Sequence, residues 1–359
     1  MRIIIAGAGE VGSHLAKMLS SDLHDIVIID NNEETVNRMD INLDVLTITG
    51  SATSFEVLKE ANIKKADLLI AVAHSEETNI ACAILSKKLG AGRTIARVDN
   101  PEYIQPIYKN HFTALGIDHL IYPERIAARE ITGMVTQVET SEIVDFTGGK
   151  LSLYVIKLEE NAPVIGKTLI QATEDIKDYD FRAVAITRNG QTIIPRGHDH
   201  FMVNDLIYVV TNRAGINNLL KSTGKKKVGV KNVMILGGSR IGKRTAQSLE
   251  GRMNVKLIEQ DKDECTRLAE DLNNTLVING DGRDVELLKE EGLQKMDTFI
   301  AVTGSSEVNL LSSLLAKKMG VKKTIAEIEN LDYINLGENM GIDAIINKKM
   351  VTASRIVKY

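Results

Sequence analysis

The chain has 359 residues, 43% of them hydrophobic and 26% charged, an ordinary soluble composition with length for roughly two to three domains. A net charge of −4 excludes a general nucleic-acid footprint, and 4% aromatics with no tryptophan exclude base-stacking platforms. No apolar run approaches the roughly 20 residues that span a bilayer.

The apolar run Arg2-Ile3-Ile4-Ile5-Ala6 ends at Gly7-Ala8-Gly9-Glu10-Val11-Gly12 and predicts a buried parallel strand, a tight turn and a helix start. Met1 leads directly into the strand, so no signal peptide is expected. In this G-x-G-x-x-G pattern Gly7 permits the turn, Gly9 lets a pyrophosphate approach the backbone, and Gly12 lets the helix pack close to the strand. The free N–H groups at the helix start suit phosphate. Val11, Leu15, Met18 and Leu19 give the helix one apolar face. A second strand, Ile26-Val27-Ile28-Ile29, ends at Asp30, an acid about 20 residues past the glycines, where a ribose hydroxyl pair is held. These three features together point to a bound dinucleotide or nucleotide.

Asn31 to Met39 reads as a helix, and Val45 to Thr49 as a third strand ending at Gly50-Ser51-Ala52-Thr53. The next helix carries Phe55, Leu58 and Ala61 on one face. Leu68 to Ala73 is a fourth strand, opening into His74-Ser75-Glu76-Glu77-Thr78-Asn79, which caps a helix with Ile80, Ala83, Ile84 and Leu85 inward. Thr94 to Val98 is the fifth strand, Pro101 begins a short helix, and His119 to Tyr122 is the sixth strand, stopped by Pro123. A helix from Glu124 to Thr136 leads away. Strand and helix alternate throughout residues 1–136, which argues a doubly wound parallel sheet. Cys82 and Cys265 each stand alone within a predicted helix, without a Cys or His at ligand spacing. They read as reduced thiols, and neither a disulfide nor a metal site is expected.

Residues 137–222 follow a different pattern. Leu151 to Leu158 is β-rich, as is Val164-Ile165, and Val184 to Thr187 and Thr192 to Ile194 flank Arg188-Asn189-Gly190-Gln191. Asn-Gly between two such strands is the strongest short hairpin signal. Leu206 to Val210 follows Asn204-Asp205. This is a small α+β domain with no nucleophile–base pair. Lys225-Lys226-Lys227 marks an exposed linker over residues 223–230.

The chain then repeats itself over residues 231–359. Val233 to Leu236 enters Gly237-Gly238-Ser239-Arg240-Ile241-Gly242, and Val255 to Ile258 ends at Glu259. Ile300-Ala301, Thr324-Ile325-Ala326 and Tyr333 stand 230 residues past Ile70-Ala71, Thr94-Ile95-Ala96 and Tyr103. Such self-similarity means a duplicated domain.

Two Rossmann units with Gly-x-x-x-x-Gly turns and acidic second strands, separated by a small β-rich domain, resemble the regulatory RCK (KTN) domains of potassium channels and transporters. The resemblance covers essentially the whole chain. It rests on the first glycine loop, Asp30, Gly50-Ser51-Ala52-Thr53, Glu76-Glu77-Thr78-Asn79, Ala96-Arg97 and Tyr122-Pro123-Glu124. In the middle it rests on Ile165-Gly166-Lys167-Thr168-Leu169, Ile186 to Gly190, Ile194-Pro195 and Asn204-Asp205. The family usually shows Gly-Asp-Ala where Gly50-Ser51-Ala52 stands, so Ser51 removes a carboxylate from that loop. Members resembling this chain usually carry a second small domain at the end, and a shortened chain is expected here. The implied fold is α/β, with two RCK N-type Rossmann-like domains separated by an RCK C-type α+β domain. The implied protein is a regulator and not an enzyme, cytoplasmic and peripheral to the inner face of the cell membrane. It is expected to form a homo-oligomer, a dimer or tetramer. It would gate a separate Trk-type membrane potassium transporter subunit through nucleotide-dependent packing.

On that resemblance, Gly7, Ala8, Gly9, Glu10, Val11 and Gly12 cradle the pyrophosphate of NAD(H), and Asp30 with Asn31 meets the adenosine ribose. Ser51, Ala52 and Thr53 lie at base or ribose, and Ala73 and His74 at the strand-end crevice. Arg97 reaches a phosphate or the distal ribose. In the second half the corresponding residues are Gly237, Gly238, Ser239, Arg240, Ile241 and Glu259. Ser239 replaces the middle glycine, and Arg240, Lys243 and Arg244 cluster at the helix start. Two readings stay open there: a degenerate half kept for packing, or a site for ATP or ADP with Arg240 against the terminal phosphates. Glu10 in the first loop and Arg240 in the second argue that the first half prefers NAD(H) and the second the more anionic nucleotide. The alternative function is an NAD-dependent oxidoreductase, with His198 and His200 as acid–base candidates. A duplicated Rossmann unit without a catalytic insertion favours regulation, and no catalytic residue is assigned.

Overall fold

Near-continuous apolar runs separated by amphipathic segments produce parallel strands buried on both faces. In the first half these are β1 (Arg2–Ala6), β2 (Asp25–Asp30), β3 (Leu46–Thr49), β4 (Leu68–Ala71), β5 (Arg93–Arg97) and β6 (His119–Ile121). They alternate with α1 (Glu10–Ser20), α2 (Glu33–Asn42), α3 (Phe55–Glu60), α4 (Glu76–Leu89), α5 (Pro106–Ala114) and α6 (Pro123–Thr136). The strand order is β3-β2-β1-β4-β5-β6, all parallel, so the winding reverses between β1 and β4. A ligand crevice opens at such a reversal, beyond the carboxyl ends of the strands.

The middle segment forms β7 (Glu142–Phe146), β8 (Leu151–Lys157), α7 (Leu169–Glu174), β9 (Phe181–Arg188), β10 (Gln191–Ile193), β11 (Leu206–Thr211) and α8 (Ile216–Ser222). Its sheet is antiparallel in the order β10-β9-β11-β8-β7. Arg188 and the fully buried Asp205 form a two-armed pair, Nε to Oδ1 and Nη2 to Oδ2 both 2.8 Å, with the Met202 N–H donating to the same carboxylate.

The second half repeats the first with β12 (Asn232–Leu236), α9 (Arg240–Leu249), β13 (Asn254–Glu259), α10 (Lys262–Asp271), β14 (Thr275–Asn279) and α11 (Val285–Glu290). It continues through β15 (Thr298–Ala301), α12 (Ser306–Lys318), β16 (Lys323–Glu327), α13 (Leu331–Asn339), β17 (Ala344–Ile346) and α14 (Lys348–Val357). The order β14-β13-β12-β15-β16-β17 matches the first sheet strand for strand.

The computed structural model describes residues 1–20, 24–136, 142–146, 151–174, 181–188, 190–212, 215–224 and 229–359. They divide into a unit of Met1–Thr132 with Lys231–Tyr359 and a unit of Gly133–Val230, so the two Rossmann halves form one body. The halves are joined through α14. Its Ala353 and Ile356 are buried with Leu15, Leu19, Ile3 and Ile5 in the core of the first half. The last helix of the second repeat therefore packs beside α1 of the first.

Two local expectations change and a third holds. The helix expected at Pro101 begins at Pro106, its first-turn proline, because Asn100 Oδ1 accepts from the Glu102 N–H and holds residues 100–105 in turns. Val164-Ile165 lies in a turn between Pro163 and Gly166 (φ +75°), with Val164 inserted into the core. The 188–191 hairpin forms, with Arg188 paired to Gln191 and Gly190 at φ +77°. Asn189 and the Lys225-Lys226-Lys227 stretch lie outside the described residues.

Candidate nucleotide-binding site

The first glycine loop is shaped by three different demands. Gly7 adopts φ +111°, and a Cβ there would stand 2.6 Å from the Ala73 nitrogen. A Cβ on Gly12 would stand 1.8 Å from the Gly7 carbonyl oxygen, so α1 packs on the turn only without one. A Cβ on Gly9 meets nothing within 4 Å: its space is the open cleft. At the end of β2, Asp30 accepts from the Ala8 N–H at 2.6 Å and from the Asn32 N–H at 2.9 Å, which fixes its carboxylate at the rim.

The far wall is built by Asn79, almost wholly buried on α4. It accepts from the Ala73 N–H at 2.7 Å and donates to the Ala73 and Arg97 carbonyls, both at 3.0 Å. This clamp ties the segment after β4 to the end of β5 at the crevice. Arg97 lines the cleft and pairs with Asp99 at 3.0 Å, while its Nε is buried without a hydrogen-bond partner.

The resulting cleft has a volume of about 630 Å³. Of the residues expected there, Gly7, Gly9, Glu10, Val11, Asp30, Asn31, Ser51, Ala52, Ala73, His74 and Arg97 line it. Ala8 turns its N–H to Asp30, Gly12 is inside the α1–β1 contact, and the Thr53 hydroxyl pairs with Ser51 at 2.9 Å. Ser75, Thr78 and Pro123 are among the further first-half residues that line it, and the second half adds Glu329, Lys348, Lys349 and Thr352. Reading the sequence does not single these out. Periodicity says that α14 has an apolar face, but not that the first half covers it. Lys349 Nζ pairs with Glu10 Oε2 and lies 3.4 Å from Glu329 Oε2. Burial opposes its charge, but the hydrogen bond to Glu10 and the Glu329 carboxylate outweigh it and raise its pKa above the ordinary lysine value.

The second cleft is smaller, about 320 Å³. Gly237 repeats the left-handed turn at φ +105°, and a Cβ on Gly242 would stand 2.0 Å from the Gly237 oxygen. Gly238 differs from Ala8 in having Leu268 where a Cβ would go, 2.4 Å away. The Gly238 and Asp261 N–H groups donate to Glu259 at 2.7 and 2.8 Å. Ser239 donates to the Val302 carbonyl at 2.7 Å. Only Ser239, Arg240 and Ile241 of the expected residues line this cleft, whereas Gly237, Gly238 and Glu259 lie outside it.

Charge is also distributed differently from the expectation. Arg240 donates to the Asp99 carbonyl of the first half at 3.0 Å, Lys243 pairs with Asp271, and the Arg244 guanidinium lies 4.9 Å from the Tyr122 ring centroid. Each of the three cations already has a partner. Beside Arg240 and Lys348, the second cleft is lined by Glu124 of the first half with Glu327 and Glu329. Burial, reinforced by Glu329 and Glu124 against the opposing Lys348, pushes the Glu327 carboxyl up to about 7. One oxygen of Glu124 is buried without a hydrogen-bond partner. Among the described residues no group of His, Cys, Asp or Glu is placed to hold a metal ion. His198 and His200 belong to the middle unit.

Comparison with known proteins follows the same division. The TrkA-N domain family matches residues 3–123 and 233–348, and the TrkA-C domain family matches residues 153–224. The chain belongs to the TrkA family. The Trk system potassium uptake protein TrkA of Vibrio alginolyticus is 34% identical over the whole of this chain and 79% of its own length. The TrkA homolog of Archaeoglobus fulgidus is 36% identical over the whole chain and 80% of its own length. Among solved structures, the GsuK RCK domain superposes with a TM-score of 0.67 at 18% identity, over 99% of this TrkA-family chain and 75% of that one. The GsuK channel bound to NAD gives 0.69 at 18% identity, over 99% and 63%. These superpositions show the fold, two RCK-type Rossmann halves with an inserted antiparallel domain. Among the described residues of this TrkA-family chain, no helix is long and apolar enough to cross a membrane.

Proposed function

We propose that this chain is the nucleotide-responsive regulatory subunit of a Trk-type potassium uptake system, and that its nucleotide occupies the first cleft. The observation that carries the reading is the open space at Gly9, in a cleft lined also by Asp30 and Arg97. Backbone N–H groups at the start of α1 suit a pyrophosphate, Asp30 suits a ribose, and the cleft is large enough for a nucleotide. NAD(H) and ADP are the candidate ligands, in keeping with the GsuK structures described with NAD and with ADP. The second cleft, half the volume, is the poorer fit for a dinucleotide. Arg240, Lys243 and Arg244, on which the loop-charge preference for ATP in the second half rests, each already have a partner.

Regulation requires the ligand to favour one packing of the assembly over another. The first cleft lies against α14, the helix that joins the halves, so an occupant touches both. The partner is a separate membrane subunit that conducts potassium, and the regulator acts as a homo-oligomer bound to its cytoplasmic face. The test is potassium flux through a Trk-type membrane subunit reconstituted in vesicles with this chain. Flux that changes with NADH or ADP, and loses that response in Asp30→Ala, is the expected result. Flux indifferent to the chain at all nucleotide concentrations would overturn the reading.

A further inference from the structure

The helices that follow the last strand of each half carry opposite charges to the opposite cleft. Ile121 ends β6 and Ile346 ends β17, and the third residue beyond is Glu124 in one half and Lys349 in the other. Glu124 lines the second cleft and Lys349 the first, so each half closes its neighbour's site. In the first cleft Lys349 meets Glu10, which stands in the first turn of α1, where a phosphate would sit. Lys348 lies beside it, 3.5 Å from Glu329 and 3.8 Å from Glu124.

We infer that Lys349 is the cross-half ligand for the phosphates of the nucleotide in the first cleft, held in reserve by Glu10. This rests on the reading that a nucleotide binds there. The physical argument is one of competition. Glu10 is exposed, with its side chain 68% accessible, so its pair with Lys349 is screened and readily exchanged. A diphosphate at the start of α1 carries more negative charge than one carboxylate and is surrounded by donors. The Lys349 ammonium, already inside the cleft wall and held charged, turns from Glu10 to the phosphate without leaving the wall. Because α14 is anchored by Ala353 and Ile356 in the core of the first half, the new contact ties the ligand to the helix shared by both halves.

The test uses the full chain and measures affinity for ADP and for adenosine, which lacks the phosphates. Lys349→Gln should weaken ADP binding by about tenfold or more, the worth of one charged hydrogen bond, and leave adenosine unchanged, while Lys349→Arg restores most of the loss. Glu10→Gln should tighten ADP binding, and that gain should vanish in the Lys349→Gln background. A structural role alone would weaken both ligands in both variants. Equal ADP affinity in wild type and Lys349→Gln, with Asp30→Ala weakened, overturns the inference and leaves the nucleotide reading standing. A Glu10→Gln gain undiminished without Lys349 overturns it too. Absence of any ADP binding to the folded wild-type chain overturns both.

Discussion

Asn79 and Asn309, 230 residues apart, make the same three hydrogen bonds to the backbone in the two halves. Asn79 clamps Ala73 and the Arg97 carbonyl; Asn309 accepts from the Thr303 N–H at 2.9 Å and donates to the Thr303 and Glu327 carbonyls at 3.1 and 2.9 Å. In each half a buried amide on the helix after the fourth strand satisfies backbone groups beyond the fourth strand and at the end of the fifth. Both crevices depend on this clamp, whatever they hold.

Asn79→Ala leaves the Ala73 N–H and two carbonyls without their buried partner. The expected cost is about 2–4 kcal/mol of stability, from desolvated groups left unpaired. Denaturant unfolding measures it. A loss within about 0.5 kcal/mol, the range of an ordinary surface change, would show that water replaces the amide freely.

The glycines of the first loop separate binding from folding. Gly9→Val projects into the cleft and should abolish nucleotide binding at an unchanged melting temperature. Gly12→Ala forces a Cβ onto the Gly7 carbonyl and should cost about 3 kcal/mol or more. Calorimetry with ADP and thermal unfolding of both variants distinguish the roles; a Gly9→Val chain that binds as wild type would remove the cleft from consideration.

Glu327 makes stability depend on pH. Its carboxyl is raised to about 7, chiefly by burial and then by Glu329 and Glu124, so the folded chain keeps a proton that the unfolded chain releases near 4.5. The stabilisation present below that value is lost as pH rises towards 7, roughly 3 kcal/mol in all. Glu327→Gln should flatten this part of the stability profile. Parallel profiles for wild type and variant, from urea midpoints across the window, would place the proton elsewhere.

Arg240 belongs to the contact between the halves. Its bond to the Asp99 carbonyl predicts that Arg240→Ala lowers stability by about 0.5–1.5 kcal/mol while ATP affinity changes by less than about twofold. A large loss of ATP binding with intact stability would return Arg240 to the role suggested by its place in the glycine loop.

Much of this architecture was legible from residue patterns. The doubly wound parallel sheet follows from the alternation of apolar runs and helices, and the repeat from the constant spacing of Ile70 with Ile300 and Thr94 with Thr324. The glycine loop was readable because each glycine meets a steric demand of its own strand and helix. The contributions of Lys348, Lys349 and Glu124 were not. They depend on which surface covers the apolar face of the last helix, a long-range choice that leaves no local periodicity. Partners such as Asp99 for Arg240 and Tyr122 for Arg244 were hidden for the same reason, so charge counted along one loop leaves out what its cations already bind.

The most direct measurement is a calorimetric titration of the full chain and of Asp30→Ala with NADH and with ADP. Asp30 is fixed at the rim by the Ala8 and Asn32 N–H groups, poised to accept from a ribose. The account predicts saturable binding by the wild type and a loss of roughly 1.5–3 kcal/mol in the variant, about a tenfold fall in affinity or more, with the fold intact. Binding of equal strength in both proteins would contradict it.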